Sequence, residues 1–114
     1  MTRKRFLASL SFGLLLAMPS IGLAQGKVRI TSPADGATLD AMEENRLVYD
    51  VKPGPRGDHV HLYVDDKEVA ILRKLKGSYP LETLSSGKRR LCVKVVNKAH
   101  VPIGIEECIR VTVK

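Results

Sequence analysis

Two histidines open an alternating apolar run in the segment GDHVHLYVDD, residues 57–66. Side chains at positions i and i+2 of an extended strand point to the same face, so His59 and His61 share one face. Their neutral imidazole nitrogens can bind one metal ion together, and in an oxidising compartment they suit Cu(II) or Zn(II). The spacing is a weak signal by itself, because two polar side chains on a solvated strand face give the same pattern.

The third histidine, His100, lies in the segment NKAHVPI. In an immunoglobulin-like sandwich, the strand at 58–64 lies beside the strand at 89–97 and runs antiparallel to it. The start of one strand then lies next to the end of the other, which brings His59 close to His100. The sequence therefore predicts a weak Cu(II) or Zn(II) site at one end of the sandwich, which Asp58 or a water molecule can complete. The predicted ligands are His59, His61, His100 and Asp58.

Other chemistry at these histidines is disfavoured. The candidate hydroxyl nucleophiles are Ser78, Ser85 and Ser86. They lie in loops that the expected strand order does not clearly bring to His59 or His100, so a hydrolase triad is not supported. No glycine-rich phosphate loop precedes a helix, and the two cysteines are expected to be bonded to each other. The sequence predicts a protein that is not an enzyme.

The strands that must position these residues are visible as alternation. After residue 26, helical periodicity is hard to find, whereas alternating apolar residues are separated by glycine, proline or aspartate turns. About seven short strands at such spacing predict an all-β, immunoglobulin-like β-sandwich of antiparallel strands. One helix-like patch, DAMEENR at 40–46, is interpreted as a single turn in a connection.

The first 24 residues have the pattern of a secretory signal peptide. A basic start at 2–5 is followed by an apolar stretch at 6–18 and by small residues before the expected cleavage after Ala24. The alternative, a membrane anchor, is disfavoured because the apolar stretch is too short to span a bilayer comfortably. We predict a single domain at 25–114 that is periplasmic or secreted and has no membrane span after cleavage.

The charge of the predicted domain is modest. The chain has 19 basic and 12 acidic side chains, a net charge of +7, and removing Arg3, Lys4 and Arg5 with the leader leaves 16 basic residues and a net charge of +4. No aromatic residues are interleaved with the basic ones to stack on bases, so a nucleic-acid partner is not predicted. The local basic cluster is read first as a solvated strand end. It comprises Lys88, Arg89 and Arg90.

The two cysteines provide a test of the fold. In an exported chain, Cys92 and Cys108 predict one disulfide. If the last two strands form a hairpin centred near His100, these cysteines face each other on the side opposite the core, close enough to bond. The same register places Lys94 opposite Glu106 and predicts a bulge near Glu106, with the disulfide on the solvent side of the hairpin.

Longer stretches resemble a known class of domain. From ITSPADGATL through GDHVHLYVDDKEV and YPLETLSSGKRRLCVKVVNKAHVPI, the chain resembles small exported bacterial immunoglobulin-like domains with an HVHLYVD strand. The resemblance implies the sandwich fold and no particular activity. In such domains a histidine commonly follows the glycine of an L-x-x-G turn by about two residues, whereas LSSGKRRL has Lys88 and Arg89 there.

Two functions remain open from the sequence. The first is an exported, non-enzymatic binding module with copper or zinc at the histidines. The second is a structural or protein-interaction domain, such as an accessory subunit of a periplasmic or surface assembly, in which the histidines are incidental. In that case an exposed edge strand or the basic corner at 88–90 meets an unidentified protein partner.

Overall fold

The computed structural model describes residues 25–82 and 84–114, so the predicted leader at 1–24 lies outside the described residues. These residues form an all-β structure whose strands coincide with the alternating segments of the sequence. The strands are β1 (Lys27–Ser32), β2 (Thr38–Leu39), β3 (Asn45–Lys52), β4 (His59–Val64), β5 (Lys67–Leu72), β6 (Lys76–Leu81), β7 (Gly87–Val96) and β8 (Pro102–Val113). Within the described residues, no helix is long and apolar enough to cross a membrane.

The strands are arranged in two sheets. One has three strands in the order β1-β3-β6, and the other has five in the order β2-β8-β7-β4-β5. All pairings are antiparallel except that of β2 with the end of β8, which is parallel. This arrangement confirms the predicted immunoglobulin-like sandwich. It adds β2, a two-residue strand that is too short to show alternation in the sequence, and the helix-like patch at 40–46 is a turn leading into β3.

The core lies between the two sheets and is almost entirely aliphatic. In β1, in β3 and at the end of β8, buried residues alternate with more exposed ones, as the period of two requires for strands with one covered face. Tyr49 is the largest buried side chain on the smaller sheet, and its hydroxyl donates to the carbonyl oxygen of Lys74 at 2.9 Å. The fully buried core residues are Leu47, Val60, Leu62, Leu91, Val93 and Val95.

The hairpin of β7 and β8 has the predicted register. Cys92 faces Cys108 and forms a disulfide with it, and Lys94 faces Glu106. The pairing is interrupted between Lys94 and Val96, where β8 carries extra residues before Glu106, which confirms the predicted bulge.

The two cysteines of this hairpin differ in their exposure. The disulfide lies on the face away from the core, but Cys92 is only 1% exposed there. Tyr63 on β4 stands opposite Cys92, and the guanidinium of Arg90 lies 3.5 Å from the Cys108 sulfur. The disulfide therefore lies on the predicted face of the hairpin, with Cys92 buried and Cys108 partly exposed.

The disulfide should contribute measurably to stability. A bond that closes a separation of 16 residues restricts the unfolded chain and is worth about 3 kcal/mol. The double substitution Cys92→Ala with Cys108→Ala should therefore lower the free energy of unfolding in urea by about that amount. Reduced wild-type protein is the control and should match the double variant. An unchanged urea midpoint would contradict this prediction.

Candidate metal centre

Three imidazole nitrogens meet at one end of the five-stranded sheet. Nε2 of His59 lies 3.1 Å from Nε2 of His61 and 3.2 Å from Nδ1 of His100, and the third side of the triangle, from His61 to His100, is 3.1 Å. These are the only histidines in the chain. The structure thus brings together the three residues that the strand order was expected to gather.

The pairing of β4 with β7 places these residues close together. His59 stands opposite Val96, so the head of β4 lies beside the end of β7 and the turn that follows it. In that turn the side-chain oxygen of Asn97 accepts hydrogen bonds from the backbone N–H groups of Ala99 and Val101, at 2.8 and 3.1 Å. His100 adopts a left-handed conformation with φ of 64°, which is uncommon outside glycine and carries its ring back over the strand.

Burial separates the two histidines of β4 from ordinary strand-face residues. His59 is 1% exposed and His61 is 2% exposed, whereas His100 is exposed. The alternative reading of two polar side chains on a solvated face is therefore wrong. The physical reason is the turn: it folds His100 back over the face, so the two rings are covered although they point away from the core.

Carboxylates lie behind the two buried rings. Oδ2 of Asp58 is 2.9 Å from Nδ1 of His59, and Oε1 of Glu68 is 2.9 Å from Nδ1 of His61. The first contact is a hydrogen bond; the second is short but poorly aligned, so Nδ1 of His61 has no well-formed hydrogen-bond partner. Carboxylates in these positions orient an imidazole and favour the proton on Nδ1, which leaves the lone pair on Nε2.

The expectation for Asp58 needs correction on this point. It was predicted as a ligand beside the histidines, but the converging donors are those of the three histidines alone. Asp58 contacts the far nitrogen of His59 because the chain enters β4 through the tight turn at 53–57. A Cβ on Gly57 would overlap the carbonyl oxygen of Pro53 and the side chain of Val95, so the turn is packed directly against the sheet.

Glu68 is a residue that sequence reasoning missed. The pairing of β4 with β5 shifts between Leu62 and Tyr63, so that Tyr63 faces Glu68 and not Val69. This bulge turns Glu68 onto the histidine face of the sheet, where regular alternation would have put Val69. A local irregularity of this kind leaves no signal in the alternation of the segment KEVAIL.

The electrostatics of the cluster favour a neutral ring at His61. Burial lowers the pKa of His61, the neighbouring histidines lower it further, and Glu68 partly opposes them. The hydrogen bond to His59 lowers the pKa of Asp58, so this carboxyl stays ionised. When His59 and His61 carry their protons on Nδ1, their Nε2 lone pairs face each other at 3.1 Å. Two such lone pairs repel unless a cation, or a proton on Nδ1 of His100, lies between them.

The other predicted site lies at the opposite end of β7. Its residues are Lys88, Arg89 and Arg90. Arg89 donates to Asp65 at 3.1 Å and to carbonyl oxygens of the loop at 85–86, and Arg90 donates to Asp66 at 2.6 Å. Both arginines thus fasten the turn between β4 and β5 to the start of β7. Lys88 is exposed, and a protein partner at this corner stays a prediction.

Comparisons with known proteins show a similarity of fold only. No family model matches the chain, and no curated protein matches it at a significant level. Among solved structures, it is similar to fibronectin(III)-like modules of Clostridium thermocellum CbhA, with a TM-score of 0.64 and 15% identity over 76% of this chain and 96% of that one. It is also similar to a CARDB domain from Pyrococcus furiosus solved in complex with di-metal ions, with a TM-score of 0.57 and 13% identity over 78% of this chain and 87% of that one.

In a third similar structure, the matched segment is a small part of a longer chain. That structure is the extracellular domain of a one component system from B. thetaiotaomicron, with a TM-score of 0.51 and 13% identity over 77% of this chain and 15% of that one. Together these likenesses support the immunoglobulin-like sandwich. They do not bear on the narrower family with an HVHLYVD strand, which stays a prediction.

Acid should destabilise the metal-free protein through the histidine cluster. Because the pKa of His61 is lowered from its ordinary 6.5 in the folded state, the unfolded chain takes up this proton more readily. The stability that the neutral ring contributes is fully present above pH 6.5 and is lost as the pH falls through the lowered value. Urea unfolding with a chelator present, at about pH 7.5 and about pH 5.5, should show a lower midpoint in acid.

The variant His61→Gln separates this effect from general acid sensitivity. It removes the buried titrating ring, so its midpoint should change less between the same two pH values than that of the wild type. Asp58 does not contribute to the pH dependence of the midpoint, because its pKa is lowered from 3.8 and it stays ionised throughout this range. Equal pH dependence in the variant and the wild type would contradict the prediction.

Proposed function

We propose that this protein is an exported, non-enzymatic binding module that holds one divalent transition-metal ion, Cu(II) or Zn(II). The observation that carries the proposal is the convergence of three imidazole nitrogens within 3.2 Å of one another. The proposed ligands are Nε2 of His59, Nε2 of His61 and Nδ1 of His100.

The chemistry of the donor set supports a metal ion. Imidazole is a preferred ligand of both copper and zinc, and each nitrogen must be unprotonated to bind. The lowered pKa of His61 keeps its ring neutral at physiological pH, as a ligand requires. With the protons of His59 and His61 on Nδ1, an ion between the nitrogens would also remove the repulsion between their two Nε2 lone pairs.

The surroundings support the same proposal. Metal-bound histidines usually have their second ring nitrogen next to a carboxylate, a carbonyl oxygen or a water molecule. Asp58 and Glu68 hold these positions behind the two buried rings, each with an oxygen 2.9 Å from Nδ1. Together the two carboxylates balance the charge of a divalent ion.

Export and the absence of catalysis belong to the proposal as well. The disulfide between Cys92 and Cys108 suits an oxidising compartment, and the leader pattern at 1–24 is that of a secreted protein. Among the described residues, no serine hydroxyl or free thiol is hydrogen-bonded to a histidine of the cluster. Binding is therefore a better account of the site than hydrolysis.

A second candidate is a structural or protein-interaction domain. The five-stranded sheet ends at β5, whose outer edge is unpaired in the described structure, and Val69 and Ile71 are 46% and 47% exposed on this strand. An edge of this kind can accept a strand from a partner protein. The known structures similar to this chain include modules of larger proteins, which agrees with such a role.

Calorimetric titration distinguishes the two candidates. Untagged protein produced from the full chain and stripped of metal should take up one equivalent of Zn(II) or Cu(II). The variants His59→Ala and His100→Ala should each lose at least about tenfold in affinity, since each removes one of three ligands. The control Lys76→Gln, on the other sheet, should bind like the wild type. No saturable uptake by the wild type would leave the interaction role.

The carboxylates behind the rings should tune the affinity. Asp58→Asn and Glu68→Gln keep the shape of the side chains but remove the charge that orients the rings, so each should weaken metal binding by about tenfold to a hundredfold. Glu44→Gln, a change at an exposed carboxylate paired with Arg46, is the matched control. If Asp58→Asn and Glu68→Gln bound metal as tightly as Glu44→Gln, these carboxylates would not be part of the site.

A further inference from the structure

We infer that the histidine cluster holds its ion in a pyramidal, three-nitrogen arrangement and leaves a fourth position open to an anionic ligand from outside the chain. The inference rests on the proposed metal binding and adds the coordination geometry and the class of the fourth ligand. It predicts that the metal-loaded protein is a receptor for a monodentate anion, such as a carboxylate.

The shape of the triangle carries the first step. With bonds of roughly 2.0–2.1 Å, nitrogens about 3.1 Å apart subtend roughly 95–100° at the ion, between the right angle of an octahedral face and the wider angle of a tetrahedron. The preference of Zn(II) for four ligands favours the tetrahedral arrangement. An ion in the plane of the nitrogens would need them about 3.5 Å apart, and a square-planar ion would place one pair about 4 Å apart. The three nearly equal sides therefore place the ion above the plane of the nitrogens, with a vacant direction on its other side.

The second step concerns whether any of the described residues can supply a fourth ligand. Within residues 25–82 and 84–114, the group of donors that could share an ion contains the three histidines and no fourth residue. Asp58 and Glu68 are the carboxylates nearest to the rings, and both contact Nδ1 atoms on the far side from the triangle. Neither can reach the ion without leaving the ring that it orients. A fourth ligand must then come from outside this set.

Exposure indicates where that ligand enters. His59 and His61 form the buried floor of the cluster, and His100 is its exposed member. A surface depression lined by Asp58, Lys98 and Ala99 adjoins the turn at 97–101, so an external ligand approaches the cluster from that side. A site with three protein ligands and one accessible position is typical of exchangeable or catalytic ions, whereas structural ions are enclosed by four protein ligands.

The local charge selects the type of ligand. Asp58 and Glu68 balance a divalent ion, but Arg73 lies 3.8 Å from Asp58, and Lys98 lines the same surface depression as Asp58, beside the turn that carries His100. With the ion bound, the surroundings are net positive, which favours an anion over a neutral donor. A carboxylate or a small inorganic anion has the required charge and a single donor atom.

Cobalt substitution tests the geometry. Co(II) reports its coordination through its visible spectrum, which is intense for a four-coordinate ion and weak for a six-coordinate one. The Co(II)-loaded protein should give the intense spectrum, and azide and acetate should each shift it with saturation at one equivalent. A response to acetate assigns carboxylates to the site, and a response to azide alone restricts the ligand to small inorganic anions.

A substitution of Lys98 tests whether local positive charge favours the anion. Lys98→Gln should weaken acetate or azide binding several-fold, and Lys76→Gln on the other sheet should leave it unchanged. Stoichiometric Co(II) with a weak spectrum and no response to either anion would overturn the inference while the proposed metal binding stands. Failure to take up Co(II), Zn(II) or Cu(II) would instead overturn the proposed function itself. Equal anion affinity in Lys98→Gln and the wild type would overturn the anionic character of the ligand.

Discussion

The antiparallel pairing of β4 with β7 is the constraint on which the rest of the structure depends. Its register turns Val60 and Leu62 into the core, and the same alternation turns His59 and His61 to the opposite face. A slip by one residue would move the histidines inward and the aliphatic side chains outward. The burial of the core therefore fixes the position of two of the three converging nitrogens, without any contribution from the site itself.

Features that depend on alternation and strand order were predictable from the sequence. The sandwich follows from apolar residues at every second position, and the facing cysteines follow from a hairpin centred near His100. The meeting of His59 with His100 required one more assumption, that the strand at 58–64 neighbours the strand at 89–97. The pairing of β4 with β7 confirms it.

Features that depend on local departures from regular geometry were not predictable. The burial of His59 and His61 depends on how the turn at 97–101 folds back, and the strand pattern contains no information about that path. Glu68 reaches its ring through a bulge, and Asp58 is directed behind its neighbour by a tightly packed turn. Such details come from packing between segments that are distant in the sequence, so only the folded structure shows the carboxylates in their positions.

The third nitrogen comes from a turn, whereas the other two come from a strand of the sheet. The conformation of the turn is held mainly by hydrogen bonds of Asn97 with its own backbone, and the turn contributes no side chain to the aliphatic core. Its sequence can therefore drift in evolution at little thermodynamic risk to the sandwich. A change at position 100 alone would remove one of the three converging nitrogens and leave the other two fixed by the pairing of β4 with β7, so the fold can persist without the complete cluster.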